Sequence, residues 1–127
     1  MLKQYWAKKN GKIGWCRIQK VTTKYIGGEV VKENDRYTVI DNRFGKTLVL
    51  SSTFLTAGKS TTGHSHARQE EVYMFVMGQG QMEIDNELFD VDEGDIVCVN
   101  EGEFHRVHNT TDVGMLFICV FEGHRTH

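Results

Sequence analysis

Apolar and polar residues along this chain alternate in short runs rather than recurring at helical spacing. The runs CRIQKVTTKYI, RYTVI, KTLVLSSTFLT, EVYMFVM, QMEID, ELFDV, DIVCVN, FHRVHN and MLFICVF are rich in Val, Ile, Phe, Tyr and Thr, with glycines as punctuation. Short runs at regular intervals with turns between them predict an all-β sandwich or barrel of antiparallel strands. QMEIDNELFDV predicts a hairpin that turns near Asp85 and Asn86, because Met82 and Ile84 alternate with polar neighbours. EVYMFVM is apolar on both faces of the pleat, which predicts cover from the core inside and from another strand or a second subunit outside. A homodimer is therefore expected. The opening segment to about Gly14 suits either a turn of helix or an extra edge strand.

Composition narrows this picture in a few places. The 127 residues fit one domain, and no repeat, low-complexity tract or proline marks a hinge. A single domain over 1–127 is expected, with the barrel core at about 45–122 and residues 1–44 forming N-terminal strands or an edge arm. Fifteen basic and seventeen acidic side chains leave a net charge of -2. No broad positive field is present to hold a phosphate backbone or anionic lipid, so neither nucleic acid nor membrane is an expected partner. The apolar runs near 47–50 and 115–121 are far shorter than the ~20 residues that span a bilayer, and MLKQYWAKKNGK lacks a signal-type apolar stretch. A cytoplasmic location follows as the expectation. Cys16, Cys98 and Cys119 are odd in number and widely spaced, which predicts buried free thiols rather than a disulfide framework or zinc ribbon.

The chemistry lies in GHSHARQEEVYMFVMGQG, residues 63–80, and in GDIVCVNEGEFHRVHN, residues 94–109. Side chains two apart on a strand share a face, so His64 and His66 project together. Glu71, Tyr73 and Phe75 share one face of the following strand, and Glu70, Val72 and Met74 the other. His105, Val107 and Asn109 form a third such set, with Arg106 and His108 opposite. Three imidazoles and one carboxylate can then converge inside a barrel, a nitrogen and oxygen set that suits divalent Mn, Fe, Ni, Cu or Zn.

These residues resemble the two motifs of the cupin superfamily. The first, G-x5-H-x-H-x(3–4)-E-x6-G, is met by Gly58, His64, His66, Glu71 and Gly78. The second, G-x5-P-x-G-x2-H-x3-N, is met by Gly94, Gly102, His105 and Asn109, with Asn100 in the place of proline. The resemblance covers residues 58–109 and implies a double-stranded β-helix, or jelly-roll, barrel holding one divalent metal ion (Fe, Mn, Zn or Ni) on His64, His66, Glu71 and His105. Glu71 is preferred to Glu70 because six residues separate it from Gly78 and because it shares parity with Tyr73 and Phe75.

A looser resemblance joins TTGHSH, EEVYMFVMGQG, FHRVHN and FEGH to the cupin-type archaeal phosphoglucose isomerases and related sugar-phosphate isomerase cupins. It implies substrate contacts from Thr61, Gly63, Tyr73 and His124, with Phe121 standing where that family has a tyrosine. The implied reaction is aldose–ketose isomerisation of a phosphorylated or nucleotide-linked sugar, with Glu71 and Tyr73 as the catalytic pair. An iron or copper dioxygenase and a non-catalytic small-ligand-binding cupin are the alternatives, since a fold names no reaction. Phe75, Phe104, Phe117 and Phe121 predict a narrow cavity for a small molecule, although parity points Phe104 outward. His108 and His127 are expected as solvated surface residues, Arg106 in a surface ion pair, and Trp6, Trp15 and Tyr25 in packing. Lys59 and Ser60 precede the histidines in a glycine-flanked loop, without the spacing of a P-loop.

Overall fold

The computed structural model describes residues 3–9 and 12–123, with side chains described from residue 19 onward. All eleven regular elements are strands: β1 (Lys3–Lys9), β2 (Lys12–Lys20), β3 (Glu29–Glu33), β4 (Tyr37–Asn42), β5 (Leu48–Leu55), β6 (Glu71–Met77), β7 (Gly80–Ile84), β8 (Glu87–Val91), β9 (Ile96–Val99), β10 (His105–His108) and β11 (Met115–Glu122). Strands β1 and β2 pair antiparallel with each other, so the opening segment is strand rather than helix. The remainder forms a six-stranded sheet in the order β3-β4-β5-β11-β6-β9 and a three-stranded sheet in the order β10-β7-β8. Among the described residues no helix is long and apolar enough to cross a membrane.

Strand pairing fixes which face is the core. Phe117 lies opposite Phe75 on one side and Thr53 on the other, and Thr53 lies opposite Val39. Two residues along, Cys119 lies opposite Tyr73 and Ser51. Because partners across a ladder share a face, these residues form a single inward layer. Met82 and Val107, paired on the three-stranded sheet, close the core from the other side. The cluster that results includes Tyr37, Val39, Leu55, Tyr73, Phe75, Met82, Met115 and Phe117, each at most 6% exposed. The predicted hairpin is present: β7 and β8 pair with Ile84 opposite Glu87, and Asp85 takes a positive φ of 50° at the turn.

Two expectations about packing are corrected. Cys119 is buried, but Cys98 is exposed, because β9 is an edge strand and Cys98 sits opposite Val72 on the outer face of the sheet. Tyr25 is 54% exposed in a turn closed by its N–H donating to the Thr22 carbonyl, rather than packed. Cys16, Trp6, Trp15 and His127 have side chains outside the described set. On the outer face of β6, Val72 is exposed and Met74 and Val76 are half-buried within the single chain.

Candidate metal centre

The loop between β5 and β6 carries two of the four candidate ligands, and main-chain bonds hold it against β10. Thr61 N–H donates to the Val107 carbonyl, while His64 and His105 exchange N–H to carbonyl bonds in both directions, at 3.2 and 2.9 Å. The Gly102 N–H donates to the His66 carbonyl at 2.7 Å, tying the second histidine to the turn before β10. Gly78, which ends β6, needs its glycine: φ is +87°, and a Cβ there would stand 2.8 Å from the Gly114 carbonyl oxygen.

The donor atoms of His64, His66, Glu71 and His105 all lie within 4.8 Å of one another. His66 Nε2 is 3.0 Å from Glu71 Oε1, and His105 Nε2 is 3.7 Å from the same oxygen. His66, Glu71 and His105 are buried, at 4%, 4% and 1% exposure. Glu70 is exposed, as parity requires. Strand β6 places Glu71 opposite Val99 and Phe121, so its inward direction comes from the ladder rather than from a loop.

Hydrogen bonds on the far side of the rings set the tautomers. His64 Nδ1 is 3.1 Å from the Thr62 carbonyl and His105 Nδ1 is 3.0 Å from the Glu103 carbonyl. A carbonyl only accepts, so both Nδ1 atoms carry the proton and both Nε2 lone pairs remain for a ligand role. Glu71 Oε1 and His105 Nε2 are buried without a hydrogen bond. Imidazole lone pairs gathered around a carboxylate need a positive charge between them, and this donor set fits a borderline divalent cation. Burial pushes the Glu71 carboxyl up, but the facing imidazoles, His105 foremost, outweigh it and hold the group below its ordinary value. Burial pulls His105 down, and the Glu71 carboxylate and Glu103 carbonyl more than reverse this, leaving it raised.

Asn100 explains itself at this centre. Its N–H donates to Glu103 Oε1 at 2.7 Å, a bond that proline lacks the hydrogen to make. Glu103 in turn presents the carbonyl that orients His105. Asn109 is structural: its Nδ2 donates to the Leu55 and Val113 carbonyls, and its Oδ1 accepts from Thr111.

A cavity of about 310 Å3 adjoins the cluster. His64 and Glu71 open onto it, and Thr61, Thr62, Tyr73, Phe117 and Cys119 line it together with Ser51, Thr53, Val39, Tyr37, Lys32 and Val31. Of the residues expected to contact substrate, Thr61 and Tyr73 thus reach the cavity. Gly63 lies under the Phe104 ring, where any side chain would collide. His124 lies outside the described residues. Phe104 is half-buried on Gly63 and takes the Arg106 guanidinium over its ring, while Phe75 and Phe121 are core. Sequence reasoning missed Lys32, Tyr37, Ser51, Thr53 and Thr62, whose convergence depends on pairing between distant strands.

His108 is outside the metal centre, as parity predicts, but it is not a freely solvated residue. Its Nδ1 is 2.6 Å from Ser60 Oγ and its Nε2 is 3.1 Å from Glu83 Oε1, which also accepts from Arg106 Nε at 2.9 Å. The Arg106 guanidinium and His108 hold the Glu83 carboxyl below its usual range. The expected outcome for His108→Ala is full metal content by elemental analysis and a Tm lower by about 2–5 °C, because the loop loses its tie to β7 without losing a ligand.

The sequence pattern of the cupin domain family matches residues 53–121. An uncharacterized Methanocaldococcus jannaschii protein, MJ1618, is 31% identical over 70 residues, covering 55% of this chain and 56% of that protein. The match therefore spans little more than half of that relative's length. Among solved structures, a Klebsiella pneumoniae protein with a double-stranded β-helix domain aligns with a TM-score of 0.71 at 17% identity, covering 88% of this chain and 94% of that one. KdgF from Halomonas sp. aligns with a TM-score of 0.68 at 18% identity, covering 76% and 89%. Eleven strands and no helix among the described residues, the motif glycines in their turns and the inward cluster of three histidines and a glutamate agree with that match, and the chain belongs to the cupin family.

Proposed function

We propose that this chain is a metal-dependent isomerase of a small phosphorylated sugar, exchanging aldose and ketose forms. The observation that carries the reading is the opening of His64 and Glu71 onto a cavity of about 310 Å3 whose wall is rich in hydroxyls: Ser51, Thr53, Thr61, Thr62, Tyr37 and Tyr73. A wall of this kind matches a ligand that is itself hydroxylated, and the volume is at the small end for ligand pockets. A sugar monophosphate suits it better than the nucleotide-linked sugar also considered above.

A divalent ion on the four ligands would polarise a sugar carbonyl and make the neighbouring C–H more acidic. The chain's own groups do the rest. Tyr73 is 5% exposed, shares the inward face of β6 with Glu71, and lines the cavity, so its phenol is placed to orient a substrate hydroxyl or pass a proton to it. Glu71 is a weak base while it holds a cation, so proton abstraction by its carboxylate requires that hold to loosen during turnover. The apolar floor of Phe75 and Phe117, each 2% exposed, keeps bulk water from the far side. Aldose–ketose exchange, assayed across common sugar phosphates with metal supplied and then chelated, is the test. Activity that appears with the ion and disappears with chelator supports the reading. Fully metallated protein that turns over none of them refutes it, and oxygen uptake by the iron-loaded form would assign the chain to the dioxygenase alternative instead.

A further inference from the structure

We propose that Lys32, on edge strand β3, recognises an anionic oxygen group at the mouth of the metal cavity, so that the substrate is two-ended: chelating oxygens at the metal, phosphate or carboxylate at Lys32. This deepens the reading above and rests on it only for the metal-bound end.

The placement of Lys32 comes from an irregularity in the ladder. Val30 pairs with Ile40, and an even register would then put Val31 opposite Val39 and Lys32 opposite Thr38. Instead the register shifts between Val30 and Lys32, and Lys32 lies opposite Val39. Val39 is 6% exposed and belongs to the core layer. A bulge of this kind re-aims a side chain. Here it turns a lysine that an even ladder would direct outward onto the cavity side, where it lines the wall with Val31.

The surroundings of Lys32 suit an anion. Its Nζ stands 5.2 Å above the ring of Tyr37, which is 5% exposed, and the Arg36 guanidinium stands 5.2 Å from the same ring. Arg36 is committed to the loop, with Nη1 donating to the Ser60 carbonyl and Nη2 to Thr62 Oγ1, at 3.2 and 3.1 Å. Its charge therefore adds to the field, with two of its guanidinium donors held by the loop. Among the described residues no carboxylate lies within ion-pair distance of Lys32, and the one acid lining the cavity, Glu71, belongs to the metal cluster. The Tyr37 hydroxyl accepts the Thr62 N–H at 3.3 Å, which leaves its own hydrogen to donate. Burial pushes that phenol up, but Lys32 and Thr62 outweigh burial and hold it below its ordinary value, which makes it a stronger donor toward an anion. One ammonium and one acidified phenol on the wall of the same small cavity as two of the candidate metal ligands define a ligand that carries both an anionic group and chelating oxygens.

The test compares ligands that share a chelating end. Calorimetric titration of manganese-loaded protein with glycerate, 3-phosphoglycerate and malate keeps the 2-hydroxy acid end and varies the far group: a neutral hydroxyl, a phosphate or a carboxylate. The wild type is expected to bind at least one charged-ended ligand about tenfold more tightly than glycerate, and the better of the two identifies the group. Lys32→Met should erase that preference while leaving metal content and glycerate affinity unchanged, and Lys32→Arg should retain most of it. Equal binding of all three ligands by the wild type, or an undiminished preference in Lys32→Met, would overturn the proposal, and the lysine would then only cover the tyrosine ring. A second measurement does not depend on the metal. Inorganic phosphate titrated into metal-free protein should shift the Thr62 amide resonance saturably in the wild type and not in Lys32→Met. A wild-type amide that does not respond overturns the anion site even if the metal reading holds. A phosphate response alongside chelators that ignore the ion overturns the metal reading alone.

Discussion

His105→Ala is expected to abolish metal uptake, with a loss in affinity exceeding the roughly 100-fold that removal of a mere supporting partner costs. The substitution removes a nitrogen 3.7 Å from Glu71 Oε1 and leaves that buried oxygen with one fewer neighbour able to share a cation. His66→Ala should act alike, whereas His108→Ala should not. Equilibrium dialysis followed by elemental analysis reads the difference, and retention of the ion by His105→Ala with its loss from His108→Ala would mean that β10 presents the opposite face. The same centre sets a pH dependence. Metal ligation needs His105 neutral, and its raised value means that protons compete from a higher pH than for an ordinary histidine. Uptake should therefore weaken as pH falls through that raised value and recover above it. For the metal-free protein the signs differ. The lowered Glu71 contributes stability present above its unfolded value and lost as pH falls through its folded one. The raised His105 contributes stability present below its unfolded value and lost as pH rises through its folded one. The charged pair thus favours the metal-free fold between those two folded values, and metal binding favours the alkaline side.

Phe117→Ala should leave every candidate ligand in place and cost about 3 kcal/mol of stability, or roughly 10 °C in Tm. Phe117 is 2% exposed, and its ring stacks on Tyr73 at 5.5 Å and tilts against Phe75 at 5.5 Å. Deleting it removes the central member of the aromatic layer beneath the metal centre. The value is set at the low end of the usual range for phenylalanine because Phe117 also lines the cavity, so the space vacated joins an existing hollow rather than becoming a sealed void. Tyr73 would lose the nearer of its two stacking partners while its ring stands 5.8 Å from that of His105, so ligand binding should weaken together with stability. Urea titration with an unchanged slope and a lower midpoint would bear this out, and a midpoint within experimental error of the wild type would contradict it.

Much of this architecture is readable before any coordinates, for reasons that differ by element. EVYMFVM is legible as β6 to the residue because it is paired on both sides, by β11 and β9, with its inward side on the core, and carries an almost unbroken apolar run. The four candidate ligands are legible because strand parity and turn glycines fix their directions locally. Strand β3 is not: all five of its residues are exposed, it mixes charge with valine, and neither a two-residue period nor an apolar run marks it. Its bulge has no local signature either, so the arrival of Lys32 beside Tyr37 could not be read from spacing. Cys98 misled for a related reason, since a strand at the rim of a sheet keeps the composition of a central one while leaving one side bare. Parity gives the face of His108, yet its bonds to Ser60 and Glu83 join three separate segments and lie beyond any local pattern.

The reciprocal main-chain bonds between His64 and His105 carry one more consequence. Two of the donors are spaced by backbone geometry, independently of any ion, and two of the rings are already oriented by carbonyls. Capturing a cation therefore freezes little additional motion, unlike a zinc finger that folds only around its metal. A chelator should empty such a socket without melting the barrel, and one ion should exchange for another on the folded protein. Which element occupies it in a cell would then follow from the supply of each metal as much as from the chain.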